Sequence, residues 1–470
     1  MTAPLILGTN SIKDTGYNVA NSLRFDSGSS TNLTRTPSGA SNRKTFTWSL
    51  WFKRTHDNAE SALFCVGSNT SSSMFMLRFD PDKFNIFGHG SAPNLSTNAL
   101  FRDPTAWYHV VVAVDTTQGT ASNRVKLYVN GTQITSFAAE TYPSQDADLI
   151  VNSTTEIVIG ERPDDNAHFS GYIAELVFID GSALAPTSFG EFDEDSPRIW
   201  KPKNVSSLTF GTNGFYLEFK ESGTSANSSG MGADTSGNNH HFAVNNLTSV
   251  DQSTDTCTNN FATMNSLDNN YASTTFTEGN LKMVTGGSSL VYNVSTIGFD
   301  TGKWYMEVKV GSSTGEVIGV VTDVATANDN NNKLGNRADG WGYDYRGLVE
   351  NAGADEGGSF ATYASGNIIG VYADLDNNKL YFAKDGVLQN SGTGLNLDVS
   401  GSPTYFFAVG DNHASNSGTF EVNFGSPTYS ISSGNTDGEY GNFEYSTTIT
   451  GDSASKTFKA LNTKNLAEFG

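Results

Sequence analysis

The sequence has 470 residues, with 28 Lys+Arg against 49 Asp+Glu and a formal net charge of −21. At roughly 100–200 residues per domain the length allows two to four domains. The acidity excludes binding nucleic acid through its phosphates, which takes clustered Lys and Arg. No apolar run approaches the roughly 18 residues of a membrane-spanning helix, so no membrane insertion is expected. The N-terminal stretch MTAPLILGTNSIKD lacks the basic region and apolar length of a secretory signal.

Only 16% of residues are charged and 48 are glycine, and the Ala, Leu, Glu and Lys bias of helical proteins is missing. An all-β chain is the expectation, and 11% aromatic residues suffice for packed cores. Cys65 and Cys257 are too few for a disulfide framework. Cys65 lies in an apolar run and reads as buried and free. His240 and His241 adjoin without the i,i+4 spacing of a helical metal site.

In chain order, residues 1–20 read as a polar arm. Strand signals follow at sandwich-like intervals over 46–53, 74–79, 107–115, 125–129, 156–159 and 172–179. Asn130-Gly131 closes one of them as a tight turn, because both residues tolerate positive φ. Residues 215–219 read as a late strand returning beside 22–25 to finish the unit. Residues 221–268 are rich in Gly, Ser, Asn and Thr with little periodicity, and read as a polar linker. Strands resume at 303–310, 317–321, 368–373, 380–383, 405–409 and 420–424, with 374–378 as a hairpin turn. Residues 431–470 read as a C-terminal extension, with 458–470 its one helical stretch. Leu127–Gly131 and Leu380–Gly386 both end a strand on a glycine turn, an echo of architecture without a sequence repeat.

The runs Ala106-Trp107-Tyr108-His109-Val110, Leu127-Tyr128-Val129-Asn130-Gly131, Ile157-Val158-Ile159-Gly160 and Phe169-Ser170-Gly171-Tyr172-Ile173 resemble, in order and spacing, a laminin-G-like domain over about 21–220. Residues 269–430 are similar to a SPRY domain. Its markers are Gly302-Lys303-Trp304-Tyr305-Met306-Glu307, Ile369-Gly370-Val371-Tyr372-Ala373-Asp374-Leu375-Asp376 and Gly418-Thr419-Phe420-Glu421-Val422-Asn423-Phe424. The resemblance implies two concanavalin-A-like antiparallel β-sandwiches, or jelly rolls, in series, with ligand sites on a rim or concave face. The module pairing, with Asn245-Asn246-Leu247-Thr248 and Asn462-Thr463-Lys464-Asn465-Leu466, resembles virion surface or fibre proteins of marine tailed bacteriophages.

That resemblance implies a non-enzymatic virion protein, assembled in the host cytoplasm and homo-oligomeric in the particle. It would meet other virion proteins through the N-terminal arm or C-terminal extension, and a host-surface glycan or receptor through rim loops. A purely structural tail or capsid component and a polysaccharide hydrolase are the rival readings. Fold alone decides none of these.

Candidate chemistry is sparse. Concanavalin-A-like hydrolases carry Glu-x-Asp-x-x-Glu on a strand; the nearest match, Glu191-Phe192-Asp193-Glu194-Asp195, has Ser196 at the sixth position and reads as a solvated loop. Asp374-Leu375-Asp376-Asn377-Asn378 opens like an EF-hand, but Lys379 stands where its turn needs glycine. Laminin-G-like domains often hold calcium at the rim, which would fall near Asp164 and Asp165. His109 reads as a hydrogen-bonded sheet histidine, without a legible nucleophile partner. Trp48, Trp51 and Trp304 read as core. Trp341-Gly342-Tyr343-Asp344-Tyr345-Arg346 follows an Asn- and Asp-rich loop. Because aromatic rings stack on sugars and Arg binds hydroxyls or carboxylates, Trp341, Tyr343, Tyr345 and Arg346 are the candidate ligand-binding residues.

Overall fold

The computed structural model describes residues 16–55, 60–164, 167–267, 274–286, 290–312, 314–322, 333–413 and 417–470. The first 15 residues of the expected N-terminal arm, and Asp165, lie outside these. The chain divides into two compact units, one of which is Asp14–Thr258; the other includes Asn259–Gly470. Both are antiparallel β-sandwiches. Among the described residues no helix is long and apolar enough to cross a membrane.

In the first unit one sheet runs Thr132–Ile134, Val125–Val129, Trp107–Asp115, Thr45–Arg54, Gly171–Asp180, Ser22–Phe25 and Gln252–Ser253. The facing sheet is centred on Lys83–His89, Met74–Asp80, Ser61–Val66 and Ile157–Ile159. Period-two alternation in Thr45–Arg54 sends Phe46, Trp48, Leu50 and Phe52 into the space between the sheets. Trp48 packs there against Phe64 (ring centroids 3.9 Å apart) and Phe178 (4.5 Å). The Asn130-Gly131 turn forms as expected, with φ of 46° and 76°. Glycine is required twice over, since a Cβ at Gly131 would lie 2.4 Å from the Trp200 ring.

The late strand is Phe215–Leu217, and it pairs with Gly171–Asp180 rather than with Ser22–Phe25. The two short strands follow one another along the same edge, Leu23 opposite Ile173 and Leu217 opposite Leu176.

The residues on the other face of Thr45–Arg54 are also buried. Trp51 lies in an outer cluster with Val19, Trp107, Tyr172, Trp200 and Cys257. Lys53, fully buried, reaches Asp255 Oδ2 at 2.6 Å, and Asp255 Oδ1 accepts from Trp107 Nε1 at 3.1 Å. Asp255 belongs to the segment read as a polar linker. Instead, residues 221–258 are part of the first unit. They supply an edge strand to each sheet, Ala243–Asn245 beside Asn32–Arg35 and Gln252–Ser253 beside Ser22–Phe25. They also send Met231, Phe242 and Leu247 into the main core. These anchors are isolated in polar sequence, so no period marks them. Cys65 and Cys257 are both buried and free.

The second unit stacks two sheets around Trp304, Met306, Val308, Ile318, Val371 and Phe407. One is centred on Thr419–Asn423, Lys303–Val310, Ile368–Asp374 and Lys379–Lys384, the other on Phe406–Asp411, Glu316–Val321 and Gly340–Asp344. Asp374–Asn378 is the expected hairpin turn: Asn377 N–H bonds Asp374 Oδ1 at 3.1 Å and Lys379 opens the next strand. Residues 431–470 do not extend away from this unit. Phe443, Phe458 and Ala460 pack on Tyr305, Tyr372 and Tyr381 of the outer sheet face. Lys459–Ala460 adds a strand parallel to Lys303–Val310, and the expected terminal helix is Thr463–Phe469.

Glu307 fastens this cover. Its carboxylate accepts the Tyr445 N–H at 2.7 Å, the Glu444 N–H at 3.0 Å, the Tyr305 hydroxyl at 3.0 Å and the Asn423 amide at 3.2 Å. Hydrogen bonds to a charged group are worth about 1.5–3 kcal/mol each. Glu307→Ala is therefore expected to speed amide exchange at Glu444 and Tyr445 at least tenfold and to open residues 431–460 to limited proteolysis. Unchanged exchange would show that the aromatic packing holds the cover alone.

In the first unit, Asp255→Ala leaves Lys53 buried without this counterion and is expected to cost about 3–5 kcal/mol in urea unfolding. A Lys53→Met, Asp255→Leu double variant should recover most of that loss. A double variant as unstable as Asp255→Ala would assign the loss to something other than charge.

Candidate functional site

Of the four residues singled out for ligand binding, two are core. Gly340–Asp344 is a strand whose alternation turns Trp341 and Tyr343 inward. Trp341 is 4% exposed and Tyr343 fully buried, with the Tyr343 hydroxyl donating to the Ala361 carbonyl. Neither ring offers a face to a ligand, because both were needed to fill the sandwich. Tyr345 and Arg346 follow in the turn after the strand. Tyr345 is partly buried against the core edge, and the Arg346 side chain is 44% exposed. The guanidinium pairs with the buried Asp344 and lies 3.6 Å from Glu350, so a ligand acid would have to displace one of them.

Asp164, the expected calcium neighbour, is engaged by Arg162, whose Nε donates to its Oδ1 at 2.6 Å. Arg162 also bonds Glu60 at 2.9 Å. Among the described residues no group of three or more His, Cys, Asp and Glu side chains is arranged to hold a metal ion.

His109 has a serine partner that the sequence did not reveal. Its Nε2 lies 2.8 Å from Ser49 Oγ, and Trp200 Nε1 donates to its Nδ1 at 2.9 Å. Nδ1 is thereby the bare nitrogen, so Nε2 carries the proton and donates to Ser49. The ring is stacked on Trp51, and burial pushes it down to about 3. It is neutral, sealed and oriented as a donor, the reverse of what a general base toward serine requires. Glu191 is half exposed on the short Gly190–Phe192 strand, beside Lys201 and Lys203. Asp193 caps the Asp195 and Ser196 amides. The acidic stretch is therefore an ion-paired surface ribbon.

Sequence reading missed Glu175. The strand Gly171–Asp180 carries a β-bulge between Ala174, opposite Trp51, and Val177, opposite Ser49. The extra residue bends the strand and holds Glu175 at φ 49°, a conformation uncommon outside glycine. Leu176 and Phe178 regain the inner face, while Glu175 turns to the outer layer. There the Tyr17 hydroxyl donates to its Oε2 at 3.2 Å, and the Tyr216 hydroxyl bonds the same oxygen. Glu175 is 6% exposed and is the buried member in the lining of a cleft of about 270 Å³, shared with Tyr17, Asn18, Asn204, Ser206, Glu218 and Lys220. A Glu in an otherwise apolar strand, 172–179, was the available signal.

Burial pushes the Glu175 carboxyl from 4.5 up to about 7, and the charge of Glu218 adds to the rise. The folded state thus binds this proton more tightly than the unfolded chain. The resulting stabilisation is complete below about pH 4.5 and is lost as pH rises through 7. Glu175→Gln removes the titration. Its thermal midpoint relative to wild type should therefore rise by about 5 °C or more between pH 5 and pH 8. An equal difference at both pH values would refute the assignment.

Residues 26–187 match the family model of the concanavalin A-like lectin/glucanases superfamily, and residues 303–423 match that of the SPRY domain. No curated protein matches the chain. Among solved structures, the chain is similar to the TRIM65 PSpry domain at 16% identity, covering 34% of this chain and 91% of that one, with a TM-score of 0.27. It is similar to the SPRY domain of human HERC1 at 15% identity, covering 30% and 87%, with a TM-score of 0.25. A putative carbohydrate binding protein from Bacteroides ovatus is similar at 14% identity, covering 49% and 59%, with a TM-score of 0.32. The chain is thus a nearly all-β protein carrying a concanavalin A-like domain followed by a SPRY domain.

Proposed function

We propose that this chain is a non-enzymatic surface protein of a bacteriophage virion that binds a host-surface glycan or protein. The observation that carries the binding role is the succession of a lectin-type and a SPRY module in one chain. Two further observations support it against hydrolysis. The Ser49–His109 pair is sealed with its proton on the wrong nitrogen, and the Glu191 ribbon is ion-paired on the surface. The virion assignment rests on the resemblance in module order, and oligomerisation in the particle goes with it.

Attachment to other virion proteins would use the part of the N-terminal arm before Tyr17, because Tyr17 and Val19, like residues 431–470, are already committed to the outer face of their own sandwich. Truncation at 430 would expose Tyr305 and Tyr372, so removal of residues 1–15, which spares Tyr17 and Val19, is the cleaner assay of particle incorporation.

A glycan array probed with the purified chain, with and without EDTA, tests the reading. Specific binding is the expected result, and its loss in EDTA would reveal a calcium requirement. A folded sample that binds no glycan and no host-cell surface would move the assignment to a purely structural virion component.

A further inference from the structure

We propose that the cleft beside Glu175 is a sugar-binding site of the first unit, taking one hydroxyl-bearing ring of a glycan against the free oxygen of Glu175. This deepens the glycan-binding reading and rests on it. The Glu175 carboxylate has one oxygen with an open valence. Glu175 Oε2 receives both tyrosine hydroxyls, whereas Oε1 has no hydrogen bond within the described residues. Oε1 is not one of the sealed oxygens of the described residues, so in a residue only 6% exposed it is the acceptor left facing the cleft and its solvent. A ligand hydroxyl can replace that solvent as the donor without bringing a second charge to be desolvated.

The shape and chemistry of the space fit the same ligand. About 270 Å³ equals the liquid volume of about nine waters, enough for one six-membered ring and too little for an extended chain. The lining alternates donors and acceptors: Asn18, Asn204 and Ser206 stand with Glu175 around the space, and Lys220 Nζ holds Glu218 at 2.5 Å. Such a wall suits a ring with hydroxyls on several sides.

The backbone, too, is built to present this carboxyl. Without the extra residue, alternation would send the carboxyl at 175 between the sheets, so the bulge and the left-handed φ serve to present this group outward. Strain of this kind is retained where the surroundings over-determine it, commonly at ligand sites. Tyr17 and Tyr216, themselves 3.1 Å apart at their hydroxyls, fix the carboxyl plane.

The same glycan array run with wild type, Glu175→Gln and Ser206→Trp tests the site. Ser206 is exposed at the cleft, so an indole there obstructs the opening without disturbing the core. Both variants should match the wild-type thermal midpoint at pH 5, which checks folding. Glu175→Gln should weaken binding of the recognised glycan at least fivefold, and Ser206→Trp should abolish it. Full binding by both variants would overturn this site and leave the glycan reading standing. No binding by folded wild type would overturn both. Loss in the Trp variant with full binding by the Gln variant would overturn the role of Glu175.

Discussion

A lysine with no exposure on the outer face of a β-sheet obliges the fold to bring a carboxylate to it, and the first unit is arranged around that obligation. Lys53 sits where strand alternation puts it, pointing away from the space between the sheets. Its counterion, Asp255, comes from about two hundred residues further along the chain. Bringing Asp255 there lays residues 221–258 over the sandwich, completes both sheet edges and closes an outer aromatic layer on Trp51, Trp107 and Trp200. Replacing the pair by apolar residues of similar volume keeps the packing, because charge burial itself is costly. What the pair adds is the register of a polar segment that has few apolar contacts of its own to fix its place.

The second unit solves the same problem with the charge on the sheet and the partners on the cover. Glu307 points outward from Lys303–Val310, and the backbone amides of Glu444 and Tyr445 come to it. Burial pushes this carboxyl up to about 7 while its donors pull it back. In both units the face of the sheet that period-two reasoning would leave to solvent is buried under later sequence.

That difference explains what the sequence made legible. Strands with clean alternation or continuous apolar runs were evident: Trp107–Asp115, Val125–Val129 and Lys303–Val310 have the bounds expected of them. Lys83–His89 and Asn94–Leu100 were not identified, since their second halves carry polar or exposed residues. The covers at 221–258 and 431–460 were misread as linker and extension because their anchors are single residues, Phe242, Asp255, Phe443 and Phe458, held by turns and side-chain bonds. For the site, types of residue misled. Trp341 and Tyr343 had the right chemistry for a ligand but lay at inward positions. Glu175 depended on a one-residue bulge that leaves no mark in composition.

The cover of the second unit has a consequence for how the chain is made. Synthesis runs from the N-terminus, and domains generally fold as units as they emerge. The strands carrying Tyr305, Tyr372 and Tyr381 leave the ribosome well before Phe443, Phe458 and Ala460, which shield them. Until then the nascent sandwich presents a row of tyrosines to solvent, and Glu307 lacks the amides of Glu444 and Tyr445. Slow translation over 384–440 would prolong that exposure, and a chaperone able to mask an aromatic sheet face would shorten its hazard.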